Sequence, residues 1–262
     1  MTQPLLEIKN LTLSFGGLCA IQGLDLVVNP GDIVGLIGPN GAGKTSVFNC
    51  ISRFYDPDRG TIYFQGRDIT RAHAHEIIGL GIARTFQNVE LCRSMTTLQN
   101  LLMGQHVILD SGVIRDGLRL PGVRQGEAEA TQRAEEALTL LGLAPYRDRV
   151  VSTLPFGVQK KVELGRALVS RPLLLLLDEP AAGTDERETY GLADLIHHIR
   201  EQFNLSILVV EHDMSFVMGL CQRLQVLDFG RKIAEGVPGQ VRNNSTVIEA
   251  YLGEPDFALS ES

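Results

Sequence analysis

The segment that most constrains this chain is Gly38-Pro39-Asn40-Gly41-Ala42-Gly43-Lys44-Thr45, which fills every position of the pattern Gly-x-x-x-x-Gly-Lys-Ser/Thr. It follows an apolar stretch without alternation, IVGLIG at 33–38, and leads into VFNCISRF, which reads as a helix. A buried strand before and a helix after are the context such a loop requires. Glycines let the backbone curl until several N–H groups point at one anion. The helix behind them adds its positive N-terminal end. Lys44 supplies a point charge for the β- and γ-phosphates of a nucleotide, and the Thr45 hydroxyl is placed to ligate Mg²⁺. Residues 38–45, with Ser46 beside them, are therefore the expected nucleotide-binding residues. A glycine-rich turn with a chance lysine would not explain the flanking strand and helix.

A second signal is the aliphatic run Leu173–Leu177, followed by Asp178 and Glu179. A hydrophobic strand ending in two carboxylates presents them at the C-terminal edge of a sheet, where open α/β sheets bind their ligands. Asp178 is expected to hold Mg²⁺, through water or with Thr45. Glu179 is expected to polarise the attacking water.

The rest of the chain supports an α/β architecture. LLEIKNLTLSF at 5–15 alternates as a half-buried strand does, and LDLVV at 24–28 reads as its partner. GTIYFQ at 60–65 returns as a strand. From about Thr96 to Gly142 strand signals vanish. TLQNLLMGQHVIL has helical spacing, and GEAEATQRAEEALTLLGL places Ala134, Leu138 and Leu141 on one stripe. SGVIRDGLRLPG between them reads as a loop or short helices. After Val150 the alternation of helix and buried strand resumes with GVQKKVELGRALVS, LLLLLDEP, RETYGLADLIHHIREQF, SILVVEH and RLQVLDFG. Apolar strands alternating with helices predict a mainly parallel sheet covered on both faces, with a helical insertion.

Composition narrows the function. Lys and Arg number 24 against 31 Asp and Glu, a net charge of −7, so no nucleic-acid partner is expected. The four cysteines are scattered with no CxxC pair, which argues against zinc or redox chemistry and predicts small buried thiols in a reducing compartment. The N-terminus lacks a basic start followed by an apolar core, and no apolar run reaches the roughly 20 residues of a bilayer span. A cytosolic chain is expected, one that reaches a membrane only through a partner.

Other residues fall into an order that is more specific than any of them alone. Phe15 ends the first strand. Gln87 lies in ARTFQN, Leu154–Gln159 opens a helix before the Asp-Glu strand, Ala182-Gly183-Thr184-Asp185 follows Pro180, and His212 follows SILVVE. In this order the chain resembles an ATP-binding subunit of an ABC transporter over essentially its whole length. The resemblance implies a P-loop NTPase domain with an N-terminal antiparallel β-subdomain and an inserted α-helical subdomain. It implies that Phe15 stacks on adenine, that residues 38–45 are the Walker A loop, and that Asp178 and Glu179 are the Walker B pair. Gln87 would contact Mg²⁺ or water and sense the membrane subunit, and His212 would contact the γ-phosphate. Residues 154–158 occupy the signature position, which caps the γ-phosphate of the nucleotide held by the opposite subunit, with Gly157 as the contact. The implied ligands are ATP and Mg²⁺. The implied catalytic group is Glu179, His212 and Gln87, and the implied metal ligands are Thr45, Gln87 and Asp178.

ARTFQN, the helical insertion, LLDEPAAG, VEHDM with VMG and a terminal VIEAYLG are similar to the ATPases of branched-chain amino-acid importers. An exporter ATPase of the lipopolysaccharide-transport type is the alternative. The resemblance implies one ABC domain over 1–253. It would have a RecA-like core at about 1–95 and 150–240, a helical subdomain at about 96–149 running into the signature helix, and a tail at 254–262. The implied partners are a second ABC ATPase subunit, identical or paralogous, integral membrane permeases and, indirectly, a solute-binding protein. They place the chain peripherally on the cytoplasmic face of the inner membrane. Two departures stand out. The usual LSGGQ reads Leu154-Pro155-Phe156-Gly157-Val158, without the serine hydroxyl, and the D-loop reads Ala-Gly-Thr-Asp rather than ending Leu-Asp.

Overall fold

The computed structural model describes residues 3–85, 90–105, 121–183 and 186–252. Gln87, Thr184, Asp185, most of SGVIRDGLRLPG and the tail lie outside the described residues. The chain divides into two units, Met1–Ala74 with Leu174–Ser262, and His75–Leu173. In chain order the elements are β1 (Leu6–Phe15), β2 (Leu18–Val28), β3 (Ile33–Ile37), α1 (Lys44–Ile51), β4 (Arg59–Phe64), β5 (Arg67–Asp68), α2 (Ala74–Gly79), β6 (Ile82–Arg84), α3 (Thr97–Met103), α4 (Pro121–Leu140) and α5 (Phe156–Leu168). They continue with β7 (Leu174–Asp178), α6 (Glu186–Phe203), β8 (Ser206–Val210), α7 (Met214–Leu220), β9 (Arg223–Asp228), β10 (Arg231–Gly236), α8 (Pro238–Arg242) and α9 (Ser245–Tyr251).

The first unit carries two sheets. One is antiparallel in the order β2-β1-β4-β5. Its alternation survives a slip: the register shifts between Ile8 and Leu11, where Asn10 takes φ 48°. A bulge there keeps Leu6 and Ile8 before it, and Leu11 and Leu13 after it, all in the core. The other sheet runs β10-β9-β3-β8-β7. Strands β7, β8, β3 and β9 are parallel, and β10 folds back antiparallel on β9. Every residue of β3, β7 and β8 is buried, as a parallel sheet covered on both faces requires.

The second unit is mostly helical. Thr96 caps α3 with a capping box: its hydroxyl accepts the Gln99 N–H at 3.2 Å, while Gln99 Oε1 accepts the Thr96 N–H at 2.9 Å. The stripe Ala134, Leu138 and Leu141 is buried, as its spacing predicts. Each buried leucine contributes about 1.5–3 kcal/mol relative to exposure. Helix α5 starts at Phe156 with Pro155 as its N-cap, φ −55° and ψ 150°, an extended residue that proline suits.

Some local expectations are corrected. The strand before the two carboxylates starts at Leu174, because Leu173 is exposed and its N–H is engaged by Gly81 O. Helix α1 stops at Ile51 rather than running to Phe54, since Arg53 takes φ 61° and cannot continue it. The thiols are not uniformly buried. Cys50 and Cys221 are, but Cys19 is exposed and Cys92 partly so. Cys19 pairs with the exposed Ser14, because the register shift between Leu13 and Ser14 takes it off the face on which Ile21 is buried. Burial pushes the Cys50 thiol up to about 12 and the Cys221 thiol higher still, so both stay protonated.

Candidate functional site

Backbone register brings the site together. Leu36 of β3, Val210 of β8 and Asp178 of β7 lie on one rung of the sheet. The residues that follow each strand therefore emerge at one edge: Gly38–Ser46 from β3, Glu211 and His212 from β8, and Glu179 from β7. Adjacent strands are about 4.8 Å apart, so these segments are immediate neighbours.

The loop after β3 is built around contacts that exclude side chains. Gly43 takes φ 102°, and a Cβ there would lie 2.3 Å from Ala20 O of β2. Gly38 takes φ 151°, and a Cβ there would lie 2.1 Å from Leu227 O of β9. Only glycine fits either place. Lys44, the first residue of α1, is buried, and its Nζ donates to Gly38 O at 2.5 Å and Pro39 O at 2.9 Å. The ammonium is thereby held inside the curl. Helix α1 has no side-chain cap and no acidic residue in its first turn. A helix start of that kind keeps its positive end for an outside anion. Thr45 is exposed and Ser46 half-exposed in that first turn. This donor set fits a polyphosphate.

The loop is braced from below by the β9–β10 hairpin. Its two-residue turn, Phe229 at φ 41° and Gly230 at φ 76°, has the primed geometry that matches strand twist. Gly230 N–H donates to Ala42 O at 3.0 Å, and Gly230 O accepts from Gln22 N–H of β2 at 2.8 Å. Phosphate loop, hairpin and β2 are thus pinned together. At the far end of β2, Gly16 and Gly17 turn the chain back to β1, and Phe15 stands exposed beside that turn. The Phe15 ring meets Tyr55 edge-on, with centroids 5.1 Å apart at 72°.

The carboxylate pair splits by environment. Asp178 is buried at the end of β7, and Glu179 is half-exposed. Asp178 and Thr45 offer the oxygens that a small, hard divalent cation prefers. Glu179 takes φ 46°, which few residues other than glycine adopt. Its N–H donates to Val210 O at 2.9 Å, and Ala182 N–H closes the turn on Glu179 O at 3.1 Å. His212 Nδ1 lies 3.9 Å from Glu179 Oε2 and 3.5 Å from Glu211 Oε2. Burial pushes the Glu211 carboxyl upward, against the pull of three backbone N–H donors and the nearby imidazole.

The structure therefore groups residues 38–46, Asp178, Glu179 and His212 at one sheet edge, with Phe15 at the β1–β2 turn, whose strand β2 is pinned to the phosphate loop. Gly157, in the second unit, lies half-buried in the first turn of α5, and the neighbouring Phe156 is exposed. Two residues at the first unit's edge were not singled out from the sequence. Tyr55 was signalled only by an aromatic just past the end of α1. Glu211 was signalled by an acidic residue closing the apolar run ILVV, the pattern that marked Asp178.

Comparison with known proteins points the same way. The family model for ABC transporters matches residues 21–182. A second model, for branched-chain amino acid ATP-binding cassette transporters, matches residues 231–256. The chain is 44% identical over 254 residues to the high-affinity branched-chain amino acid transport ATP-binding protein LivG of Escherichia coli K12, covering 97% of this chain and 100% of that one. It is 42% identical to BraF of Pseudomonas aeruginosa, described in the same words, with the same coverage. A crystal structure of the ADP conformation of an ATP-binding cassette of an ABC transporter superposes with a TM-score of 0.84 at 31% identity, covering 97% of this chain and 100% of that one.

Proposed function

The chain belongs to the ABC transporter family as an ATP-hydrolysing subunit, and from that premise we propose that it powers import of branched-chain amino acids. The observation that carries the substrate class is similarity to amino-acid transport subunits along nearly the whole chain, including the separate match over 231–256. None of these relatives favours the export alternative. The domain boundaries stay as the resemblance implies them: one ABC domain over 1–253, interrupted by a helical subdomain at about 96–149.

In this reading the N–H groups of residues 38–46 and the ammonium of Lys44 take the phosphates of ATP, and Phe15 takes the adenine. Thr45, Asp178 and Gln87 would hold Mg²⁺, which when bound offsets charge on the phosphates. Glu179 accepts a proton from the attacking water. His212 offers its ring to the γ-phosphate. Two chains, or this chain and a paralogue, pair head to tail so that each phosphate loop faces the other's Gly157. Pro155 replaces the serine hydroxyl of the usual signature, so Gly157 N–H and the α5 N-terminus carry that contact. Permease subunits dock on the cytoplasmic side of the inner membrane, near the segment that contains Gln87, and receive solute from a binding protein. No helix among the described residues is long and apolar enough to cross a membrane, so these partners would supply the membrane path.

Phe15→Ala should weaken ATP binding by roughly 5- to 150-fold, the loss of one base–aromatic stack of about 1–3 kcal/mol. Binding of inorganic tripolyphosphate should not change. Calorimetric titration of both ligands checks this; equal weakening of both would remove Phe15 from the base site.

The substrate class is tested with proteoliposomes that carry the assembled transporter with this subunit and ATP inside and the solute-binding protein outside. Leucine, isoleucine or valine should accumulate in an ATP-dependent manner. Uptake of none of them, with ATPase activity intact, would reject branched-chain amino acids and leave the ATPase assignment standing.

A further inference from the structure

Glu211 is a buried carboxylate for which the hydrolysis proposed above has no use. It follows the fully buried strand β8 and is itself wholly enclosed. A buried carboxylate persists when its oxygens are hydrogen-bonded, and this one is bonded to two separate segments. Ala181 N–H donates to Oε1 at 2.8 Å. His212 N–H and Asp213 N–H donate to Oε2 at 2.9 and 3.3 Å. Ala181 is two residues past Glu179, in the turn that sets the Glu179 backbone. One carboxylate thus joins the turn that carries Glu179 to the segment that carries His212. The tie from Glu179 N–H to Val210 O runs beside it, so the two segments are cross-linked at successive positions of one strand end. The imidazole is addressed as well. The two carboxylate oxygens near His212 Nδ1, at 3.5 and 3.9 Å, are both acceptors. They favour the proton on Nδ1 and leave Nε2 for the substrate.

Resting on the roles given above to Glu179 and His212, we propose that Glu211 is a positioning residue for ATP hydrolysis: it locks the Glu179 turn to the His212 segment and holds the His212 ring as the Nδ1–H tautomer. A glutamine cannot do this. Its oxygen serves one of the two positions, and its NH₂ group meets N–H donors at the other.

The test is steady-state ATPase activity and equilibrium ATP binding of the full-length chain, or of the assembled transporter if only that turns over. Wild type is compared with Glu211→Gln, His212→Ala and the double variant. Glu211→Gln should lower kcat on the order of 10²-fold, the usual cost of a misplaced catalytic group. ATP affinity should stay within about threefold, because the phosphate loop is untouched. The double variant should be no slower than the slower single, since residues acting as a unit are not additive. Unchanged kcat in folded Glu211→Gln, with His212→Ala impaired, overturns the proposal; so do losses that multiply in the double variant. Unchanged kcat in His212→Ala instead overturns the role given to His212. Should Glu211→Gln fail to fold, the wild-type protein still decides. Nitrogen NMR of the His212 ring at alkaline pH, assigned with His212→Gln, should show Nδ1 protonated, and the Nε2–H tautomer would overturn the proposal.

Discussion

Glu179→Gln is expected to cut ATP turnover by roughly 10²–10⁴-fold, the usual contribution of a general base, while ATP still binds. The amide keeps the size of the side chain and loses the charge that would accept a proton from water. The backbone ties of the turn, Glu179 N–H to Val210 O and Ala182 N–H to Glu179 O, use no side-chain atom and survive the change. The variant should therefore fold, bind Mg-ATP and stall before hydrolysis. The head-to-tail pair held by ATP should then accumulate, against the repulsion of a net charge of −7 per chain. Turnover within about twofold of wild type would show that another group activates the water. Light scattering adds a second readout. A mass that does not rise with Mg-ATP rejects pairing of identical chains and leaves a paralogous partner.

Lys44→Ala should weaken ATP binding by roughly 10²–10³-fold, from the loss of charge-assisted hydrogen bonds worth about 1.5–3 kcal/mol each. The ammonium is buried within the loop and bonded to the carbonyls of Gly38 and Pro39. Alanine leaves those carbonyls facing the space where phosphates would lie, so repulsion adds to the lost attraction. Lys44→Arg should not rescue binding. A planar guanidinium cannot occupy the place of a compact ammonium between two carbonyls. Nucleotide titration by calorimetry measures the change, and ATP affinity within threefold of wild type would exclude Lys44 from phosphate binding.

Much of the parallel sheet was legible because three of its strands are apolar except for one polar residue at an end of two of them. IVGLI, LLLLD and SILVV announce burial on both faces, and each is buried end to end. The hairpin under the phosphate loop was not legible. Strand β10 reads RKIAEG, a half-exposed edge with charges on its outer face, and its turn is Phe-Gly where Asn-Gly is the usual signal. Phe229 is held in that turn by pairing on both sides rather than by its own preference. Of the candidate site, the phosphate loop and the two carboxylates were readable because their chemistry lies in contiguous residues. Tyr55 and Glu211 were not, because the ring contact with Phe15 and the bond to Ala181 join segments 40 and 30 residues apart. Gln87 was named from its place in the motif order and lies outside the described residues.

The backbone of Glu179 carries a consequence for anyone evolving this protein in the laboratory. A side chain held at φ 46° costs stability on the order of 1 kcal/mol or more. Glycine or asparagine would accept that conformation more cheaply. Heat challenge, protease survival or soluble-expression screens would therefore enrich Gly or Asn at position 179 and raise the melting point as they did so. Each such winner would be unable to turn over ATP. Stability at this position and work are opposed, and a selection blind to transport would discard the work first.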